Sequence, residues 1–431
     1  MYSIDWDKVF ARRSNGPSES ERTGWRALVP AVSRTVWALG VTSMLTDISS
    51  EMVASILPMY LVIELGMTPF AFGFIDGIYQ GAAALVRVIG GALGDRWNRH
   101  KEVAAAGYGL SAACRILLLL AGGAVNAIGG VVALDRIGKG IRTAPRDAMI
   151  TQSTPKAALA TAFGVHRGMD AAGAMLGPLV AFALLAGLPN AFDVVFVASF
   201  GAAILGVAAI VLFVPALGDK SGPARRPPGF FPSASGLLRD PGFRRLLVAG
   251  VLLSLATISD SFLFLALQKR SALGTAAFPL LYVATSLVTS LFAVPCGRLA
   301  DRIGRTPVLI AGYAILAGLY VALWATGLGG WLLLAGVVGL LGLYYAATDG
   351  VLTAMVAAGL PRESTGSGLA IFATATNVAR LLASIAFGYL WMEEGNRPAI
   401  LIYLSALAVV LIAVGPVLMR KEHGSQTAAA Q

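Results

Sequence analysis

One nine-residue pattern occurs twice in this chain, at matching places in two apolar halves. Gly91-Ala92-Leu93-Gly94-Asp95-Arg96-Trp97-Asn98-Arg99 returns as Gly297-Arg298-Leu299-Ala300-Asp301-Arg302-Ile303-Gly304-Arg305. Each copy reads G-x-x-x-D-R-x-x-R, closes an apolar run of about twenty residues and precedes another. Such a run spans the hydrocarbon core of a bilayer as one helix, and inside lipid only helices and closed barrels satisfy their own backbone. Two charged hinges at equivalent positions point to a duplicated helical membrane protein whose halves move against each other.

Composition agrees. Of 431 residues, 57% are hydrophobic and 13% are charged, against about 25% charged in soluble domains. The 50 glycines suit closely packed membrane helices. The net charge of +10 sits mainly in the short segments between apolar runs, so it marks topology rather than a nucleic-acid partner. Cys114 and Cys296 lie far apart, with neither a disulfide framework nor metal-ligand spacing.

Apolar runs fall near 36–63, 70–93, 102–121, 124–149, 158–187 and 190–214, then near 244–267, 275–298, 306–326, 330–358, 362–391 and 397–419. The expected organisation is a polar N-terminal tail (1–34), a six-helix bundle (35–214), a Pro- and Arg-bearing linker (215–243), a second six-helix bundle (244–419) and a short tail (420–431). The fold class is all-α integral membrane, with twelve transmembrane helices in two pseudo-symmetric bundles. With the N-terminus inside, cytoplasmic segments collect Arg96, Arg99, Lys101, Lys156, Arg225, Arg226, Arg244, Arg245, Arg302, Arg305, Arg362, Arg420 and Lys421. The other side keeps Lys269, Arg270 and Arg397. Both termini are therefore expected in the cytoplasm.

The paired loops resemble the cytoplasmic signature G-x-x-x-D-[RK]-x-G-R-[RK] of major facilitator superfamily transporters, between helices 2–3 and 8–9. The first copy departs at Asn98 and His100; the second keeps Gly304 and Arg305 but has Thr306. The resemblance covers residues 34 to 420 and implies a gating role for Gly91, Asp95, Arg96 and Arg99, and for Gly297, Asp301, Arg302 and Arg305. Each Asp is suited to a helix N-terminus of the opposite half, where the macrodipole favours a carboxylate. Gly173-x-x-x-Gly177-Pro178 resembles part of a motif of proton-driven antiporters, though Leu179, Val180 and Ala181 replace its trailing glycines.

Ionisable residues at membrane depth are costly and mark function. Asp47 and Glu51, at i and i+4, share one face of the first helix, and Asp76 lies in the second. Neighbouring carboxylates on a partly dehydrated face repel when both are ionised, the property a proton-coupling site uses. These three are the proton-coupling candidates, with pairing to Arg87 or Arg115 as the bland alternative. The fourth helix carries Asp135, Arg136, Lys139, Arg142, Arg146 and Asp147. There Asp135 and Lys139, four apart, are placed to neutralise each other. Gly138-Lys139-Gly140 lacks the spacing of a phosphate-binding loop. The fifth helix adds His166, Arg167 and Asp170.

Arg115, Arg136, Lys139, Arg167 and Asp170 are thus the substrate-binding candidates of the first half, and Asp260, Asp349, Asn377 and Arg380 those of the second. Guanidinium forks suit an anionic or zwitterionic solute, although a closed network with Asp47, Glu51, Asp135 and Asp170 is the competing arrangement. The expected function is proton-coupled efflux by alternating access. The alternatives are uptake or exchange of an organic anion or phosphate ester, and more remotely a transport-inactive sensor or an intramembrane enzyme. No cofactor, metal or nucleic acid is expected. The expected partners are a small solute, protons and lipid, with the chain a monomer in a bacterial-type inner membrane. Topology is directly testable: a reporter fused after Gln431 is expected to be active only in the cytoplasm, and a periplasmic signal would contradict an even number of crossings.

Overall fold

The computed structural model describes residues 32–97, 99–155, 158–215, 236–271, 273–325, 330–360 and 365–429, without the side chains of 83–85, 87–97, 160, 417 and 420–429. Among the described residues the chain forms helical passes in series. The first half contains α1 (Arg34–Met59), α2 (Pro69–Trp97), α3 (His100–Leu120), α4 (Val125–Gln152), α5 (Leu159–Gly187) and α6 (Phe192–Phe213). The second contains α7a (Pro241–Leu255) and α7b (Asp260–Ser271), then α8 (Pro279–Ile303), α9 (Arg305–Trp324), α10 (Gly330–Ala358), α11 (Thr365–Glu394) and α12 (Asn396–Ala429). Among the described residues, ten passes are long and apolar enough to cross a membrane. The helix α4 holds the run of charges from Asp135 to Asp147.

The seventh pass differs from the single helix expected over 244–267. It starts at Pro241, inside the expected linker, where the Asp240 side chain accepts from the Phe243 N–H at 2.7 Å. It then breaks between Leu255 and Asp260. A break at membrane depth frees backbone groups that lipid cannot satisfy. Tyr320 on α9 supplies the remedy: its Oη accepts from the Ile258 N–H at 2.8 Å and lies 3.4 Å from the Ala256 carbonyl.

The two halves meet along α2 and α11. A Cβ on Gly73 would stand 2.6 Å from the Ser384 carbonyl oxygen, and one on Gly77 would stand 2.8 Å from that of Leu381. Only glycine permits so close an approach of the two backbones. Inside the same seam the Ser384 hydroxyl donates to Asp76 at 2.7 Å. Phe72 of the first half meets Phe262 edge-on at 4.8 Å, and Phe262 packs on Phe387 and Trp391. Asn190 and Thr275, in the connections at that end, are 3.2 Å apart. All these contacts lie toward the face opposite the D-R-x-x-R loops. The far face is closed by packing of one half on the other.

Gly73 provides a stability test. Gly73→Ala pushes a methyl into backbone and is expected to destabilise by about 1–3 kcal/mol. Gly109→Ala, where a Cβ meets nothing within 4 Å, is expected to be neutral or to stabilise by up to about 1 kcal/mol through helix propensity. Melting of both variants in detergent, followed by tryptophan fluorescence, checks the contrast.

Candidate functional site

In the first half the charges are tied to one another. Asp135 on α4 is buried and takes both Arg115 from α3, at 2.9 Å, and its neighbour Arg136. Arg115 also donates to the Ser50 hydroxyl of α1 at 3.1 Å, and Arg136 lies 4.0 Å above the Tyr79 ring of α2. Asp135 therefore joins four helices through two guanidinium groups. The expected i, i+4 pair with Lys139 does not form, because the two arginines occupy the carboxylate. Lys139 is half-buried and is the main positive charge acting on Glu51.

One turn further along α4, Arg142 stacks 4.5 Å over Tyr108 and lies 3.7 Å from Asp47. Arg146 donates twice to Asp147, at 3.1 and 3.0 Å, and once to Ser43, and lies 3.7 Å from Asp170. Asp170 has His166 at 3.4 Å. Arg167 is exposed. The acid pair on α1 faces α5 closely: a Cβ on Gly173 would meet the Met44 carbonyl oxygen and Asp47, and one on Gly177 that of Ile48 and Glu51. The small residues of the antiporter-like fragment thus press α5 onto the acidic face of α1.

The open space lies against the second half. A cavity of about 350 Å³ is lined by Ala171, Ala174 and Met175 of α5, by Asp260 and Phe264 of α7b, and by hydroxyl groups of α8. Asp349 and Tyr345 of α10 complete it. A second space of about 330 Å³ shares Thr289, Tyr345 and Asp349 with the first and continues past Gly297 to Asp301 and Arg305. The midplane thereby opens toward the loop face while the far face is closed. Tyr345 donates to Asp260 at 2.6 Å. Asp349 is exposed to the cavity. Arg380 is half-buried, lies in electrostatic range of Asp349 and Asp260, and has a buried Nε with no hydrogen-bond partner.

The structure thus brings Asp260 and Asp349 to one cavity, with Arg380 in range. Arg115 and Arg136 are held by Asp135, Lys139 is the main positive charge acting on Glu51, and Asp170 lies beside His166. Asp76 lies in the seam between the halves, and Asn377 adjoins that seam through its carbonyl against Gly81. Of the expected gate residues, Arg305 donates to the Ala354 carbonyl at 3.1 Å, Arg99, Asp301 and Arg302 are exposed, and Gly297 lines the second space. Gly91, Asp95 and Arg96 lie outside the described side chains. Sequence reasoning passed over Thr285, Ser286, Thr289 and Ser290. Their spacing, two i, i+4 hydroxyl pairs in an otherwise apolar run, is the signal that marks a wet face.

Two helical bundles around a midplane cavity, closed on one face and open on the other, define a membrane transporter of a small solute. The chain belongs to the Major Facilitator Superfamily, whose model matches residues 39–288 and 256–431. An uncharacterized MFS-type transporter of Methanocaldococcus jannaschii is 30% identical over 390 residues, 88% of this chain and 93% of its own. A protein of Mycobacterium tuberculosis is 34% identical over 181 residues, 42% of this chain and 43% of its own. Among solved structures, the nucleoside transporter NupG superposes with a TM-score of 0.73 at 13% identity, over 88% of this chain and 98% of that one. The peptide transporter POT in complex with sulfate does so with a TM-score of 0.73 at 17% identity, over 91% and 97%. The Methanocaldococcus jannaschii relative and both solved structures are transporters.

The ion network makes a sharp prediction. Asp135→Asn leaves two buried guanidinium groups without their carboxylate and is expected to cost about 3–5 kcal/mol. Asp170→Asn is expected to cost less, since Arg146 keeps Asp147 and Ser43. Thermal melting of the two variants in detergent ranks them.

Proposed function

We propose that this protein exports a small zwitterionic solute in exchange for protons, from a site formed by Asp260, Asp349 and Arg380. The observation that carries this reading is the cavity wall: two carboxylates, Tyr345 and a run of α8 hydroxyls, with a guanidinium in range. Carboxylates accept hydrogen bonds from an ammonium group, hydroxyls bind either partner, and Arg380 supplies the fork for a carboxylate or phosphate oxygen. Commitment of Arg115 and Arg136 to Asp135 argues against a purely anionic cargo held by the first half. The site opens toward the face that the basic loops assign to the cytoplasm, which is the side from which an exporter loads. Asp47, Glu51 and Asp76 stay in this reading as carboxylates that exchange protons. The membrane is a bacterial-type inner membrane with both termini cytoplasmic, and the chain acts as a monomer.

The test uses purified protein and three probe sets: amino-acid-like zwitterions, polyamines and organic phosphates. Only zwitterions are expected to raise the melting temperature, and Asp349→Asn is expected to abolish the rise. In pyranine-loaded liposomes, the stabilising zwitterion is expected to drive proton movement opposite to its own. Stabilisation by organic phosphates that survives Asp349→Asn would overturn the site assignment.

A further inference from the structure

His166 is a buried ionisable group of the first half that the proposed solute site does not use. It lies seven residues into α5, about 10 Å along the helix from its loop-face end, and only 1% of its surface is exposed. Its Nδ1 is 3.4 Å from Asp170 Oδ2, one turn further on. Its Nε2 is buried with no hydrogen-bond partner, and so is Asp170 Oδ1. One histidine–carboxylate pair therefore holds two unsatisfied polar atoms away from water, an arrangement that costs free energy unless the pair has a second state to serve.

The surroundings leave the second state to a proton. The nearest fixed cation, Arg146, has its fork turned to Asp147 and Ser43 and remains 3.7 Å from Asp170, beyond hydrogen-bond reach. Asp47 of α1 and Arg142 of α4 face each other at 3.7 Å, and Arg142 covers Tyr108 of α3, whose hydroxyl is 3.3 Å from Ser43. Glu51 lies further along α1 beside Gly177, with Lys139 of α4 as its main positive neighbour, and Arg167 of α5 itself is exposed. On the remaining sides α8 presents hydroxyls to the cavity, and the one charged residue of α6, Asp193, is in its far-face first turn. A charged imidazole is thus a second close counter-ion for Asp170, beside Arg146, which is shared with Asp147. The dyad also borders the transport path, because Ala171 and Ala174, the next residue and the next turn, line the cavity.

We propose that His166 and Asp170 form a proton-binding dyad that couples protonation to which face is open. In the neutral state His166 donates from Nδ1 to Asp170 and keeps a bare lone pair on Nε2. A proton taken from water at the loop face binds that lone pair, and the imidazolium neutralises the carboxylate in the packing seen here. Release of the same proton to water leaves Asp170 with Arg146 alone, at 3.7 Å and shared with Asp147, and disfavours this packing, so low pH favours opening at the loop face. The proposal rests on the proton-coupled reading above and adds an α5 dyad to its proton-exchanging carboxylates.

The test needs no substrate. Paired spin labels at Thr151→Cys and Ile303→Cys, exposed at the loop-face ends of α4 and α8, are introduced into Cys296→Ala protein in nanodiscs. The open-to-closed ratio is read between about pH 5.5 and 8.5, the range that brackets histidine ionisation. The ratio is expected to fall by about fivefold or more as pH rises, the lower end of ordinary coupling, and to become flat in His166→Gln. If the unsubstituted protein is itself flat, both proton coupling and the dyad fail. If it responds and His166→Gln responds equally, the dyad alone is overturned and coupling stands. A second measurement survives a variant that does not fold. The chain has 3 histidines, so His100→Gln with His423→Gln leaves His166 as the sole imidazole for nitrogen NMR. Titration within that range is expected; an imidazole of fixed charge throughout would overturn the proposal.

Discussion

The rest of the structure depends on how charge is held inside a hydrophobic slab. An unpaired ion at that depth is expensive, and pairing with hydrogen bonds offsets much of that cost. Asp135 solves this for two arginines at once, and the solution is also architectural. Arg115 brings in α3 and Ser50 of α1, while Arg136 rests on Tyr79 of α2. Four helices of the first half converge on a single carboxylate. A bundle pinned in this way behaves as a body, and a body is what alternating access must move.

The second half is built on the opposite plan. Its helix interfaces are apolar and aromatic, with Tyr313, Tyr344 and Tyr345 in contact, and Asp260 and Asp349 line its cavity. The break in the seventh pass belongs to this plan. It places Asp260 at the start of α7b, in the cavity wall, while Tyr320 absorbs the backbone groups that the break releases. Irregular backbone at membrane depth is tolerated where it lines a cavity, and here it does. Charge at Asp135 thus serves cohesion, whereas Asp260 and Asp349 of the second half border open space.

Much of this was legible in the sequence. Run lengths, loop charges and the duplicated D-R-x-x-R pattern were enough for the helical membrane class and the two-half plan, because lipid leaves the backbone so few options. The candidate site was less legible, and particular residues show why. Asp135 with Lys139 is a sound pair on one isolated helix, yet Arg115 from a neighbouring helix reaches the same carboxylate with better geometry. Arg136 looked like a ligand for anions and is instead held by Asp135 and Tyr79. Which face of a helix is wet depends on its neighbours, and period alone does not say who they are. Thr285, Ser286, Thr289 and Ser290 are the exception, since four hydroxyls on one face of an apolar run have few other uses.

The position of His166 bears on how such a machine avoids a leak. A coupling group in the cavity would meet solute and proton together, and either could cross alone. His166 and Asp170 sit behind the cavity wall, in the seam where Gly173 and Gly177 press α5 against α1. Protonation there would be felt as a change in how α5 packs, before it is felt as charge by the solute. The side chains of Ala171 and Ala174 carry no polar atom to pass a proton onward, so coupling from the proposed dyad to the cavity would be mechanical rather than a wire. A close-packed interface is bistable rather than continuously deformable, which is the property by which the proposed dyad would turn one proton into a choice between two faces.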